Sequence, residues 1–429
     1  MKQIEALNIL KSGHNVFLTG SAGSGKTFLL NEFINYLKSE NIAVGITAST
    51  GIAATHLNGR TIHSWCGLGI EENLNHQVRS SIAKGEVKQR LKKAQVLIID
   101  EISMLSASRL DLVDSVCQLV RKNNHPFGGL QIVLSGDFFQ LPPVARGRED
   151  KRFALESEAW TKTNLKICYL EEQHRQEDKK FFALLNALRG RKDLSSVKKS
   201  LLARLNKEVK SKIKPTKLYT HNFDVDSYND LELSRLKGDS KFWPMQSQGL
   251  PNLIDKLKGG CLAPENLELK IGAVVMFVKN NFKEHYVNGT LGKVIAFDED
   301  SGFPIVETVK GQIIEARRET WAIEDSGGDI LAAINQIPLR LAWAITIHKS
   351  QGLSLDCAEI DLSRTFEYGM GYVALSRVRA LSGLKLLGLN DLALEVNEKM
   401  IEFDEELRRQ SANDLSEFLE GRSYKLTLV

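Results

Sequence analysis

Cysteine is scarce in this chain. Its five cysteines, Cys66, Cys117, Cys168, Cys261 and Cys357, are far apart, odd in number and form no CxxC pair. That argues against a disulfide framework or a zinc site and for a reducing compartment. Long apolar runs are missing too. There is no N-terminal apolar segment of the signal-peptide type and no stretch long enough to span a bilayer, so no membrane partner is expected and a cytosolic or nucleoid protein is the default. No low-complexity tract, strong internal repeat or separate nuclease-like carboxylate cluster stands out. A large charge of either sign is also absent: 57 Lys and Arg against 53 Asp and Glu leave +4. Such a balance permits a polyanionic partner without requiring one. What remains is ordinary globular composition, 42% hydrophobic and 26% charged over 429 residues, enough chain for about three domains.

The first half alternates strand and helix. Val16 to Leu18 is a short apolar strand, Leu29 to Leu37 has helical spacing, and Ala43 to Thr47 is a second strand. Val96 to Ile99 is apolar at every position, as a strand covered on both faces should be. Leu110 to Val120 again has a helical period, and Leu130 to Leu134 is strand-like. The pattern predicts an α/β fold with a parallel sheet and helices on both faces. Leu68 to Lys93, polar and basic, breaks the alternation and reads as a small insertion. Phe181 to Leu205 looks helical, and Lys217 to Tyr219 begins another strand. From Ile271 to about Ile323, polar and apolar residues alternate between glycines, the texture of a small all-β insertion. Parallel α/β character returns at Leu339 to Ile347 and at Leu384 to Leu389, and Asp391 to Leu419 reads as an acidic helical tail. The basic run Lys198 to Lys217 reads as a solvated helix face.

The sharpest signal is GSAGSGKT, Gly20 to Thr27, placed after a strand and opening a helix. Gly20, Ser21, Ala22, Gly23, Ser24 and Gly25 let backbone N–H groups turn inward on phosphate oxygens, helped by the helix N-terminus. Lys26 can reach the β- and γ-phosphates, and the Thr27 hydroxyl can ligate Mg²⁺. Asp100 and Glu101 follow the apolar strand at its carboxyl end, where ligands bind in open parallel sheets. Asp100 would hold Mg²⁺, and Glu101 would orient or deprotonate the attacking water. Gln140, in Ser135 to Pro143 after the next strand, could touch both the γ-phosphate and that water. A cation from outside the loop is expected to offset charge in phosphoryl transfer. Arg175, in EEQHRQ, and Arg377, in YVALSRVR, are the candidates.

In their order these motifs resemble superfamily 1 helicases, and most closely superfamily 1B, the petite-integration-frequency (PIF) DNA helicase family. The key match is Ser108 to Val144, SRLDLVDSVCQLVRKNNHPFGGLQIVLSGDFFQLPPV. Gln3 and Ala6 resemble that family's adenine-reading glutamine motif. TASTGIAA from Thr47 and GRTIHS from Gly59 resemble its first two DNA-contacting motifs. Thr220-His221-Asn222 resembles the start of a second-core motif. Ala344 to Gly352, AITIHKSQG, resembles the motif linking DNA to the ATP cleft. The resemblance implies two tandem RecA-like cores. The first would span 1–67 and 94–180, interrupted by a basic insertion at 68–93 that could act as a wedge. The second would span 181–269 and 335–392, interrupted by a β-rich, SH3-like insertion at 270–334, with a helical tail at 393–429. It also implies ATP and Mg²⁺ as cofactors, Gly352 near the nucleotide, and 5′-to-3′ movement on single-stranded DNA. Forked duplexes, RNA–DNA hybrids and G-quadruplexes would be unwound by a monomer. Without the long N-terminal extension of eukaryotic members, a compact bacterial or phage form is expected.

Single strands are held by backbone-tracking polar contacts and stacking platforms. Thr47, Ser49, Thr50 and Gly51 offer small hydroxyls and accessible backbone to phosphates. His63 could donate to a phosphate or stack on a base. Asn222, Thr346, His348 and Lys349 are the second core's candidates. A nucleotide switch acting on proteins would leave TASTGIAA and GRTIHS unexplained. A translocase that moves without unwinding, or a helicase of the RecD or Dda branch, remains as an alternative; the PFGG segment disfavours the latter.

Overall fold

The computed structural model describes residues 1–68, 73–74, 79, 82, 85–143, 152–172, 178–210, 214–220, 225–281, 283–324 and 330–426. Six strands open the chain: β1 (Val16–Gly20), β2 (Val44–Ala48), β3 (Arg60–Thr61), β4 (Val96–Asp100), β5 (Gln131–Ser135) and β6 (Lys166–Leu170). They form one parallel sheet in the order β3-β2-β4-β5-β1-β6. Alternate residues serve opposite faces. Val16, Leu18, Ile98 and Val133 join a core with Leu30 and Phe33 of the helix Lys26–Ser39. Phe17, Leu97, Ile99, Ile132 and Leu134 join the core containing Val113 and Val116 of the helix Ala107–Arg121. Both faces are dry, which is why β1 and β4 show no polar alternation.

The second half differs from the sequence reading in four places. Phe181 to Leu205 is not one helix but two, Lys179–Arg189 and Leu194–Leu202. Arg191 (φ 49°) and Asp193 (φ 47°) take left-handed conformations between them, and the Asp193 side chain accepts from Ser196 N to cap the second helix. After β7 (Thr216–Tyr219), antiparallel structure begins earlier than the alternation suggested, with β8 (Lys241–Pro244) and β9 (Gln246–Gly249). β9 is exposed throughout and β8 nearly so, and neither carries apolar alternation. Then come β10 (Asn266–Leu269), β11 (Val274–Phe277), β12 (Leu291–Phe297), β13 (Pro304–Thr308), β14 (Ile313–Glu315), β15 (Glu319–Glu324), β16 (Ile330–Gln336) and β17 (Leu339–Leu341). β14-β13-β12-β11-β17 make a five-stranded sheet, β15-β16-β9 a three-stranded one, and β10-β8 a ribbon. Leu339 to Ile347 is therefore split. β17 closes the antiparallel sheet, and β18 (Ala344–Thr346) joins a parallel one with β7, β19 (Ala358–Leu362) and β20 (Leu384–Leu389), ordered β18-β7-β19-β20.

The tail is a single helix, Glu398–Leu426, starting later than read because a short 3₁₀ turn, Asp391–Leu394, precedes it. It returns to the first sheet and packs along β6. Of the 68–93 insertion, the helix Gly85–Lys93 is described. It buries Leu91, and its Arg90 donates to the Ser64 and Trp65 carbonyls. Among the described residues no helix is long and apolar enough to cross a membrane.

Candidate nucleotide cleft and nucleic-acid groove

Gly20 ends β1 at φ +147°, and a Cβ there would meet the Leu170 carbonyl oxygen at 2.6 Å. Gly25 caps the next helix at φ 87°. Only glycine fits both places, so the loop bends back over its own helix N-terminus. Lys26 Nζ donates to the carbonyls of Gly20 (2.8 Å) and Ser21 (3.1 Å). Burial pulls its pKa below the usual lysine value, opposed by the carboxylates of Asp137, Glu101 and Asp100. Gln3 opens the first helix, with its side-chain amide donating to Ser24 O at 3.4 Å and its backbone N–H to Glu172 at 3.0 Å.

Asp100 closes β4 and accepts from Glu101 N at 2.9 Å. Glu101 sits at φ 52°, a left-handed turn that swings its carboxylate off the strand line. Burial raises Asp100, and burial followed by the neighbouring Asp100 charge pushes Glu101 up to about 7. Among the described residues, Glu101 Oε2 and Gln140 Oε1, which line one cleft, and Ser24 Oγ of the phosphate loop are buried with no hydrogen-bond partner. Orphaned polar atoms at one spot fit a polar occupant: a polyphosphate, its cation and ordered water. Among the described residues no group of three or more His, Cys, Asp or Glu could hold a metal. Mg²⁺ needs none, because it is held by one or two protein oxygens with phosphates and water. Thr27 and Asp100 supply that kind of donor on one wall.

Lys26, Thr27, Asp100, Glu101, Gln140, Gly352 and Arg377 line a single cleft of about 530 Å³. Arg377 is 1% exposed. Its guanidinium donates to Val373 O (2.9 Å), Ser376 Oγ (2.8 Å) and Ser350 O (3.4 Å). Arg175 and Asn222 lie outside the described residues. Several neighbours carried no local sequence signal. Asn280, Asn288 and Lys310 reach the cleft from the antiparallel region. His56 lies 2.6 Å from Asn288 through Nε2 and Nδ2, and burial lowers its pKa to about 4. Gly352 admits that ring, since a Cβ would meet it at 2.8 Å. Arg189 pairs with Asp137 (3.1 Å) and Asp404 (3.0 Å), and stacks over Phe139 at 4.3 Å.

The expected strand-contacting residues divide. Thr47 is buried, and its hydroxyl donates to Ile98 O at 2.6 Å, so that oxygen belongs to the sheet and does not face a groove. Ser49 donates to Glu101 O (2.7 Å), and Thr50 caps the helix Gly51–His56 by accepting from Ala53 N (3.2 Å). Thr346 is buried and accepts from Lys349 N at 3.3 Å. Thr50, His348 and Lys349 line a cavity of about 150 Å³ with His56, Glu101 and Gly352. Gly51 and His63 line a separate groove of about 580 Å³ whose far wall is the helix Pro251–Gly260. His63 is half-buried, and burial followed by nearby Arg109 lowers its pKa.

Comparison with known proteins agrees with this architecture. The profile described as PIF1-like helicase matches residues 1–191, and that described as DNA helicase Pif1, 2B domain, matches residues 252–297. The ATP-dependent DNA helicase Pif1 of Psychrobacter sp. (strain PRwf-1) is 45% identical, over 92% of this chain and 69% of its own. Vertebrate relatives of the same name are longer: this chain spans 63–66% of their length. The structure of Bacteroides sp. Pif1 in complex with ADP-AlF4 superposes with TM-score 0.80 at 30% identity, covering 95% of this chain and 96% of that one. Bacteroides Pif1 bound to ssDNA gives 0.64 at 30% identity, covering 96% and 97%.

Proposed function

This chain belongs to the PIF1-like helicase family, and from that premise we propose that it is an ATP-dependent DNA helicase moving 5′-to-3′ on single-stranded DNA. Its substrates are forked duplexes, with RNA–DNA hybrids and G-quadruplexes in the same class. One observation carries the coupling. Glu101 belongs at once to the cleft holding Lys26 and Arg377 and to the cavity holding Thr50, His348 and Lys349. A shift of the strand along the second set changes the surroundings of the residue beside the attacking water.

In this reading the loop amides, Lys26 and Thr27 hold the triphosphate, and Gln3 reads the base. Thr27 and Asp100 hold Mg²⁺, which neutralises phosphate charge when bound. Glu101, with its raised pKa, accepts the proton of the attacking water, and Gln140 orients that water. Arg377, with Arg175, stabilises charge on the equatorial oxygens. Arg377 comes from the second core, so turnover requires the cleft to close, and product release lets it open. Ser49, Thr50, Gly51, His63, His348 and Lys349 follow the DNA backbone, Asn222 is a further contact, and segment 68–93 splits the fork.

Polarity is tested with duplexes carrying a single 5′ or 3′ tail, in ATP and Mg²⁺. The expected result is unwinding of the 5′-tailed duplex alone; unwinding of the 3′-tailed one alone refutes the reading.

A further inference from the structure

We infer that Tyr372 is a positioning residue for ATP hydrolysis, setting the distance between the phosphate loop and Arg377; the inference rests on the function proposed above. Tyr372 is 2% exposed and belongs to the helix Met370–Leu375, all of whose residues are buried. Its hydroxyl accepts from Ala22 N, inside the phosphate loop, at 3.0 Å. The same hydroxyl donates to Asp137 Oδ2 at 3.3 Å. These roles are forced. A backbone N–H only donates, so the hydroxyl oxygen accepts from Ala22 and its O–H is left to point at Asp137. Asp137 cannot turn away, because Arg189 holds its other oxygen at 3.1 Å and Phe139 N donates to that oxygen at 3.2 Å.

The helix carrying Tyr372 is equally fixed. Gly369 begins it at φ +78°, and a Cβ there would come within 2.5 Å of the Phe139 carbonyl oxygen. At the other end Ser376 N donates to Tyr372 O at 2.9 Å, and the Arg377 guanidinium donates back to Val373 O at 2.9 Å. Tyr372 and Arg377 therefore move as one body. One end touches the phosphate loop and the other faces the cleft. Holding a catalytic cation at the right separation contributes to rate more than to ground-state affinity. Nothing local marks Tyr372, since its partners are 350 and 235 residues away in sequence.

The test is Tyr372→Phe in the full chain, which removes one oxygen and keeps the ring. Single-stranded-DNA-stimulated ATP turnover is measured with and without the substitution, alongside amide exchange at Ala22. The expected outcome is a kcat lower by about tenfold, a KM for ATP within twofold, and Ala22 exchange faster by about tenfold. A kcat within twofold of the parent overturns the inference, as does a fall in kcat matched by a proportional fall in folded, DNA-binding protein. Absence of DNA-stimulated turnover in the unsubstituted chain overturns the proposed function itself. Turnover there with no effect of the variant overturns only the role of Tyr372.

Discussion

Asp414→Ala should loosen the edge of the nucleotide-binding sheet without touching the nucleotide site. β6 is an edge strand, paired with β1 on one side from Val16↔Lys166 to Gly20↔Leu170. Its other side would present bare N–H groups, the hazard every sheet edge carries. The C-terminal helix covers it with side chains. Asp414 Oδ2 accepts from Ile167 N at 2.7 Å, and Ser411 Oγ accepts from Tyr169 N at 3.0 Å. Lys166 adds an ion pair to Asp414 at 2.9 Å. Asp414 is 6% exposed. A hydrogen bond to a charged group contributes about 1.5–3 kcal/mol, and a buried donor left alone costs about 1–3. These overlap, so about 2–3 kcal/mol is expected locally, or about 30–150-fold in amide exchange. A chain of 429 residues built on several separate sheets does not unfold in one step, so exchange at Ile167 and Tyr169 is a better assay than a melting midpoint. Glu417→Ala is the control: its ion pair with Lys166 is exposed on the glutamate side, and such pairs contribute little because solvent screens them. An Asp414→Ala protein whose Ile167 exchanges within twofold of the parent would show that the helix merely lies against the sheet.

Arg377→Ala should lower ATP turnover by about 10³-fold or more, the scale of an arginine acting in phosphoryl transfer, while ATP affinity changes only a few-fold; equal losses in both would remove it from the chemistry. His56 predicts a pH effect. The folded chain keeps it neutral, with its pKa lowered to about 4 by burial, against 6.5 when unfolded. Its contribution is intact above pH 6.5 and drains away as pH falls toward 4, because only the unfolded chain then takes the proton, for a total of at most about 3 kcal/mol. His56→Gln should flatten that slope in the amide protection factors of the helix Gly51–His56 between about pH 7.5 and 5; an unchanged slope refutes the assignment.

Contiguous motifs were legible because their chemistry is local. Gly20 to Thr27 and Asp100-Glu101 each need their own neighbours in sequence, and their strands are apolar because both faces are covered. Long-range polar contacts were not legible. Nothing around Arg189 announces a buried pair with Asp137, and Thr47 looked available until the sheet took its hydroxyl. The antiparallel region was read too short because its first strands, Lys241–Pro244 and Gln246–Gly249, are largely wet and show no alternation. Leu339 to Ile347 looked continuous because hydrophobicity does not record which sheet a strand joins.

Across the 580 Å³ groove, Gly51 and Gly260 meet backbone to backbone, a Cβ on Gly51 falling 2.8 Å from the Gly260 Cα. At that point neither residue has a side chain for the other to grip. Backbone set against backbone there can part and close again with no rotamer of either residue to unlock, so the pair of glycines is suited to act as a bearing. A single methyl group at either glycine would act as a wedge driven into it, changing how wide the passage stands at rest and leaving the chemistry of its walls as it was.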